Sequence, residues 1–220
     1  MKEYIAKQVQ DSYAEMLLRF AIAAEYKDDE IGSHIIRVSD YSTAIAKALS
    51  LSSKRVKMLR FASIMHDIGK IGIPDNLLRK KKITKKDYNR IKKHTVIGGK
   101  VFSGANAALL KAAGEIAFSH HEWYDGTGYP LGLKGRKIPL YARIVALADS
   151  LDAIVSERSY KKSETVDKAV QAIKKRSGTQ FDPGIAEAFL RALPSIKEIF
   201  LAGKTISNFL KENKRLLNKE

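Results

Sequence analysis

The sequence predicts an all-α, single-domain helical bundle. Three observations lead there: apolar residues recur at spacings of three and four, no segment alternates as a half-buried strand would, and glycines, prolines and caps separate the periodic stretches. At 220 residues and 45% hydrophobic composition the chain can build one compact core, so residues 1–220 are expected to form a single domain.

The elements follow in chain order. Leu17, Phe20, Ala21 and Ala24 carry a first helix near 3–27, and a second is expected near 34–50. Ser52 caps a third near 53–68, built on Val56, Leu59, Ala62, Ser63 and Met65, which Gly69 terminates before a break that runs to Pro74. A helix near 85–102 stops before Gly104, and another near 106–122 closes on His120 and His121. A loop over 123–138 turns on Gly126 and Gly128, and IPLYARIVALADSLDAIV forms a helix near 139–156. Helices near 165–176 and 184–192 are separated by Gly178 and Asp182-Pro183, and a C-terminal helix is expected after Pro194. The sequence shows no repeat, low-complexity tract or linker, so these helices are expected to cross as an orthogonal, non-coiled bundle.

Composition narrows the chemistry. No run of about 18 apolar residues is present and the first ten residues, MKEYIAKQVQ, lack the apolar stretch of a signal peptide, so the expected location is cytoplasmic, without a membrane segment. Zero cysteines exclude disulfides, thiol nucleophiles and thiolate metal sites together, leaving imidazole and carboxylate as metal donors. Net charge is +16, much of it in RKKKITKKDYNRIKKH between Arg79 and His94. Those cations surround a helical face with Tyr88 as the one stacking aromatic, so they are read as a solvated surface that steers anions inward, and direct nucleic-acid binding is not expected. Gly203-Lys204-Thr205 does not end a phosphate-binding loop, because Glu198 stands where that motif needs its first glycine.

The five histidines fall at 34, 66, 94, 120 and 121, with none in the last 99 residues. Each keeps acidic company or a helix end. Glu30 and His34 are four apart, which on a helix sets a carboxylate and an imidazole on one face. His66-Asp67 ends one apolar segment and His120-His121 another; adjacent helical residues diverge by about 100°, so each pair should serve neighbouring ions rather than chelate one. Asp149 shares a face with Val145, Ala146, Asp152 and Ala153, where an unpaired carboxylate would cost several kcal/mol; a metal removes that cost, and Arg143 is the alternative partner. An all-nitrogen and oxygen donor set favours Fe, Mn or another transition ion. Bridged ions can activate water and hold a phosphoryl group, so metal-assisted phosphoester hydrolysis is the first chemical expectation, with all five histidines deprotonated at neutral pH.

These residues also resemble a known family. His66-Asp67-Ile68-Gly69-Lys70, and His120-His121-Glu122 followed by Asp125-Gly126 and Gly128-Tyr129-Pro130, are similar to the motifs of the HD-GYP domain, a subgroup of the HD phosphohydrolase superfamily that hydrolyses the bacterial second messenger cyclic di-GMP. The resemblance runs from about Glu15 to Pro183, leaving a C-terminal helical extension over about 184–220, and it implies the HD-superfamily bundle with a metal centre in its core. It implies His66, Asp67, His94, His120, His121 and Asp149 as ligands of two or three transition ions, with Glu30 and His34 as the pair that accompanies a third. It assigns Lys70 and Asp67 to catalysis, Lys70 meeting the scissile phosphate, and it gives substrate binding to Arg158, Lys161, Gly128 and Tyr129. Glu122 and Asp125 are expected to accept from ligand imidazoles. Ile31 departs from the threonine often found there.

The activity this implies is metal-dependent hydrolysis of cyclic di-GMP to pGpG, GMP or both, by attack of metal-bound hydroxide. The alternatives are an HD hydrolase of another nucleotide and a non-catalytic module that binds cyclic di-GMP or docks a partner. Diguanylate cyclase domains, reached through the GYP loop, are the implied protein partners, and a homodimer is left open. Family members often carry an input module ahead of this domain; with about 29 residues before Glu30, the chain is expected to be a stand-alone enzyme or one trimmed from a longer parent.

Overall fold

The computed structural model describes residues 2–27, 33–80, 82–156, 165–202 and 208–209. Eleven α-helices run through them: α1 (Lys2–Glu25), α2 (Ser33–Ala48), α3 (Ser53–Ser63), α4 (Asp75–Leu78), α5 (Lys85–Ile91), α6 (Lys93–Val101), α7 (Ala108–Ser119), α8 (Leu140–Val155), α9 (Val166–Lys175), α10 (Pro183–Arg191) and α11 (Leu193–Ala202). Short 3-10 turns occupy Ile68–Gly72 and Gly135–Lys137. The all-α expectation holds: the described residues contain no extended strand, only an isolated bridge between Ser177 and Phe181. None of their helices is long and apolar enough to cross a membrane.

Two helices form the axis of the core. α2 buries Ile35, Ile36, Val38, Tyr41 and Ile45, and α8 buries Ala142, Ile144, Val145, Leu147, Ala148 and Leu151. α2 packs on both α3 and α8; α7 closes the bundle against α3 and α8. Each fully buried Ile, Leu or Val contributes about 1.5–3 kcal/mol, so this axis is held by area, and the polar residues it carries at one end are imposed on it. α6 packs against α7 and the Ile68–Gly72 turn, which sets a floor beneath that polar end.

Local signals place the helix starts. Thr84 and Asp87 form a capping box at α5, and Asp87 also receives the Lys80 ammonium at 2.5 Å. Thr165 caps α9 through the Lys168 amide, while Asp182 caps α10 through the Gly184 amide with Pro183 in the first turn. Arg143, offered above as a partner for Asp149, instead pairs with Asp182.

Two predicted helices are shorter than the periodicity suggests. The segment near 53–68 leaves the α-helix after Ser63, because the Ser63 carbonyl is taken by both the amide and the ring Nδ1 of His66. The segment near 85–102 breaks at Lys92: the Ile91 carbonyl accepts from the His94 ring at 2.8 Å, and the Lys92 carbonyl accepts from the Thr95 hydroxyl. Gly69 does not end α3. It lies in the 3-10 turn, where an added Cβ would sit 1.9 Å from the His94 carbonyl oxygen and 2.5 Å from the Gly98 nitrogen. That glycine lets the turn touch α6.

Candidate metal centre

Five stretches of chain deliver imidazoles and carboxylates to one place. His34 lies in the first turn of α2; His66 and Asp67 follow the broken end of α3; His94 opens α6; His120 and His121 leave the end of α7; Asp149 projects from α8. Their donor atoms form overlapping groups in which every atom is within 4.8 Å of the others: Asp67, His94, His120 and His121 in one, and His34, His66 and Asp149 in a second. A third joins Glu25, His34 and Asp67. His120 and His121 thus share one group, with ring centroids 4.1 Å apart, rather than dividing between neighbouring sites as their sequence adjacency suggests. His66 and Asp67 fall in different groups, with His66 Nε2 3.5 Å from Asp67 Oδ2.

The breaks in the helices aim the rings. His66 donates from Nδ1 to the Ser63 carbonyl at 2.9 Å, His94 to the Ile91 carbonyl at 2.8 Å, and His120 to the Ile116 and Ala117 carbonyls at 3.0 and 3.2 Å. Placing the proton on Nδ1 leaves Nε2 as a lone-pair donor, and the Nε2 atoms of all three rings are buried without a hydrogen-bond partner. Asp67 Oδ1 is buried in the same condition, 3.4 Å from His94 Nε2 and 3.6 Å from His120 Nε2. Four orphaned acceptors facing one another repel unless something positive sits among them. Two donors on an ion at bond lengths of about 2.1 Å stand about 3–3.5 Å apart, so the residues fit a transition metal held by nitrogen and oxygen.

Electrostatics agree with that fit. Burial lowers the His66 and His94 imidazoles to about 4, and burial with the neighbouring rings takes His121 well below its ordinary value, so these three are neutral donors at neutral pH. Burial alone would push the Asp67 carboxyl up; Lys70, whose ammonium lies 2.8 Å from Oδ2, leads the groups that hold it well below the usual range. His34 differs from the expectation of five deprotonated histidines. Burial lowers it, but the hydrogen bond and charge of Asp152, with Glu25 and Asp149, outweigh burial and raise it to about 10. A cation on His34 Nε2, which lies 3.5 Å from Asp149 Oδ1, must therefore displace a proton.

The loop over 123–138 rims the floor. Tyr129 stacks on His121 with centroids 4.8 Å apart and planes 26° apart, and its amide donates to the His121 carbonyl at 3.1 Å. Lys92 places its ammonium 4.7 Å from the Tyr88 ring centre and 4.8 Å from that of Tyr129, a cation between two π faces. Gly128 is needed for a contact within the chain, since a Cβ there would lie 2.1 Å from the Trp123 nitrogen. Glu122 and Asp125 do not accept from ligand imidazoles as expected. Glu122 is buried and takes the Leu131 and Leu133 amides at 2.7 and 2.9 Å, and Asp125 closes a turn on Thr127, because short loops leave amides for carboxylates to collect.

Of the predicted site residues, His34, His66, Asp67, His94, His120, His121 and Asp149 converge, with Lys70 beside Asp67 and Tyr129 on His121. Glu30, Arg158 and Lys161 lie outside the described residues. Sequence reasoning missed Glu25, a carboxylate that is 2% exposed at the end of α1, and no motif marks it. It also passed over Asp152. That residue was legible in principle as an acid three positions from Asp149 in an apolar helix, where burial demands a partner.

Comparison with known proteins points the same way. Residues 17–185 match the family model described as HD domain. The chain is 41% identical over 194 residues to a cyclic di-GMP phosphodiesterase of Thermotoga maritima, covering 88% of this chain and 53% of that one. It is 40% identical over 193 residues to the cyclic di-GMP phosphodiesterase response regulator RpfG of Xanthomonas campestris pv. campestris, covering 87% and 51% respectively. It thus spans about half the length of the curated relatives it matches. Among solved structures, a cyclic GMP-AMP specific phosphodiesterase of Vibrio cholerae superposes with a TM-score of 0.64 at 22% identity, over 94% of this chain and 53% of that one, a likeness of fold.

Proposed function

Because the chain belongs to the HD domain family, we propose that it is a metal-dependent phosphodiesterase that hydrolyses cyclic di-GMP to pGpG, GMP or both. The observation that carries this reading is the convergence of three buried, partnerless imidazole Nε2 atoms on the Asp67 carboxylate, His94 and His120 facing Oδ1 and His66 facing Oδ2, a donor array with no use in packing. The relatives that share about two-fifths of its residues are named for that reaction.

His66, Asp67, His94, His120, His121, His34 and Asp149 would hold two or three ions, Fe or Mn being the ions we assign to this donor set. Bound there, such ions supply Lewis acidity and make a water deprotonable at neutral pH. The chain's own residues do the rest. Nδ1 bonds to main-chain carbonyls fix the rings so that no reorganisation is needed when a ligand arrives. Lys70, beside Asp67, places a cation where charge develops on the phosphoryl oxygens. Arg158 and Lys161 are assigned to the other phosphate and to guanine, and the +16 charge draws a dianionic substrate inward. The loop carrying Gly128 and Tyr129, with Trp123 and Leu131 exposed on it, is the face we assign to a diguanylate cyclase domain.

The test is metal analysis of anaerobically purified protein coupled to product analysis with cyclic di-GMP and a panel of other cyclic dinucleotides. Two or three ions per chain and linear or mononucleotide guanine products are expected. Activity that survives exhaustive chelation would overturn the reading, and tight binding without turnover in metal-replete, reducing conditions would replace it with a sensory one.

A further inference from the structure

His34 is held differently from its neighbours. His66, His94 and His120 lean on main-chain carbonyls, whereas His34 donates Nδ1 to the Asp152 carboxylate at 2.7 Å. Asp152 is fully buried, and its two oxygens also receive Arg37 in a fork, Nε at 2.6 Å and Nη2 at 2.9 Å. Arg37 Nη2 reaches on to the Ser156 hydroxyl at 3.0 Å. The arrangement has a regular spacing. Three residues beyond His34 on α2 stands Arg37, and three beyond Asp149 on α8 stands Asp152, so each helix contributes one residue facing the cluster and one behind it.

A buried Arg–Asp pair alone would be a packing device, and such pairs often add little net stability. This one is different because Oδ2 is shared with a ring whose other nitrogen faces Asp149 Oδ1 at 3.5 Å. A carboxylate on Nδ1–H fixes the tautomer and the ring angle and strengthens Nε2 as a donor, while the guanidinium draws off part of the carboxylate's charge. We propose that Asp152, shared with Arg37, is a positioning residue that sets the metal affinity of the His34–His66–Asp149 group separately from that of the Asp67–His94–His120–His121 group. A ring that leans on a side chain can be tuned by one substitution, which a ring anchored on a main-chain carbonyl cannot.

The inference rests on the metal-centre reading, and its test separates the two. Apoprotein and its Asp152→Asn variant are titrated with Mn²⁺ by equilibrium dialysis, with metal counted by mass spectrometry and folding checked by circular dichroism. Wild type should bind at least two ions; the variant should bind one of them about 10–100-fold more weakly and the rest unchanged. Equal affinities for every ion in both proteins, or an equal loss of all ions in the variant, would overturn the proposal while leaving the metal centre standing. Wild type that binds fewer than two ions would overturn the metal-centre reading itself. Should the variant not fold, nitrogen-15 NMR of Zn²⁺-loaded wild type decides: His34 must keep its proton on Nδ1, and a spectrum showing it on Nε2 rejects the assignment.

Discussion

The floor of the cluster and its wall solve one problem by different means. On the floor, His66, His94 and His120 are aimed by carbonyls that the ends of helices leave over; on the wall, between α2 and α8, His34 is aimed by a buried carboxylate and guanidinium. Carbonyls move only with the backbone, so the floor is as rigid as the fold. The wall is adjustable, at the cost of burying charge against the apolar face of α8.

The largest effect should come from the floor. Asp67→Asn removes the negative charge of the carboxylate facing His94 and His120, and we expect phosphodiesterase activity to fall more than about a thousandfold with loss of bound metal, since several kcal/mol of charge stabilisation goes with the ion. A variant with full metal content would remove the floor's claim to be the anchoring side. Lys70→Met should lower kcat about 10²–10³-fold with metal content kept, which separates charge stabilisation from metal holding; a rise in KM with kcat unchanged would reassign Lys70 to binding.

Gly69→Ala probes the same region through its backbone. A methyl 1.9 Å from the His94 oxygen must push α6 away, and a loss of about 3 kcal/mol in unfolding free energy is expected, measured by denaturant titration. An unchanged midpoint would mean that the floor yields after all.

The wall should show the smallest effect, in its pH dependence. Asp152, outweighing burial, raises His34 to about 10, and the hydrogen bonds that Asp152 accepts from His34 and from Arg37 outweigh burial to hold it at about 2, against ordinary values of 6.5 and 3.8. A raised histidine stabilises fully below 6.5 and loses that contribution as pH climbs through about 10; a depressed aspartate stabilises fully above 3.8 and loses it as pH falls through about 2. Melting temperatures of wild type minus Asp152→Asn, taken in chelator, should plateau between pH 3.8 and 6.5 and decline on either side. A difference independent of pH would show the pair to be uncoupled.

Much of this was legible in the sequence, and the reasons for the rest are physical. The cluster could be read because metal chemistry concentrates histidines: His66, Asp67, His120 and His121 come from the motif strings themselves, His34 and His94 are the remaining imidazoles, and Asp149 is a carboxylate on an apolar helix face. Helix ends at Ser63 and Lys92 were hidden because the apolar period continues through them, and what stops each helix is a side chain competing for a carbonyl. Gly69 looked like a terminator because sequence shows only its neighbours in the chain, whereas its reason lies 25 residues away at His94. Asp152 and Glu25 went unassigned for a related cause: their partners are long-range, and nothing in the local pattern names them.

The three partnerless Nε2 atoms also bear on how the protein survives heat. Nitrogens stripped of water with nothing in return are a standing penalty on the fold, and cations that answer them bind only the folded chain. Free ion at a thousand times its dissociation constant would add about 4 kcal/mol, or roughly 10 °C in a chain of this size. Thermal endurance would then rise and fall with the cell's supply of the ion, making the molecule a gauge of metal availability as well as a consumer of it.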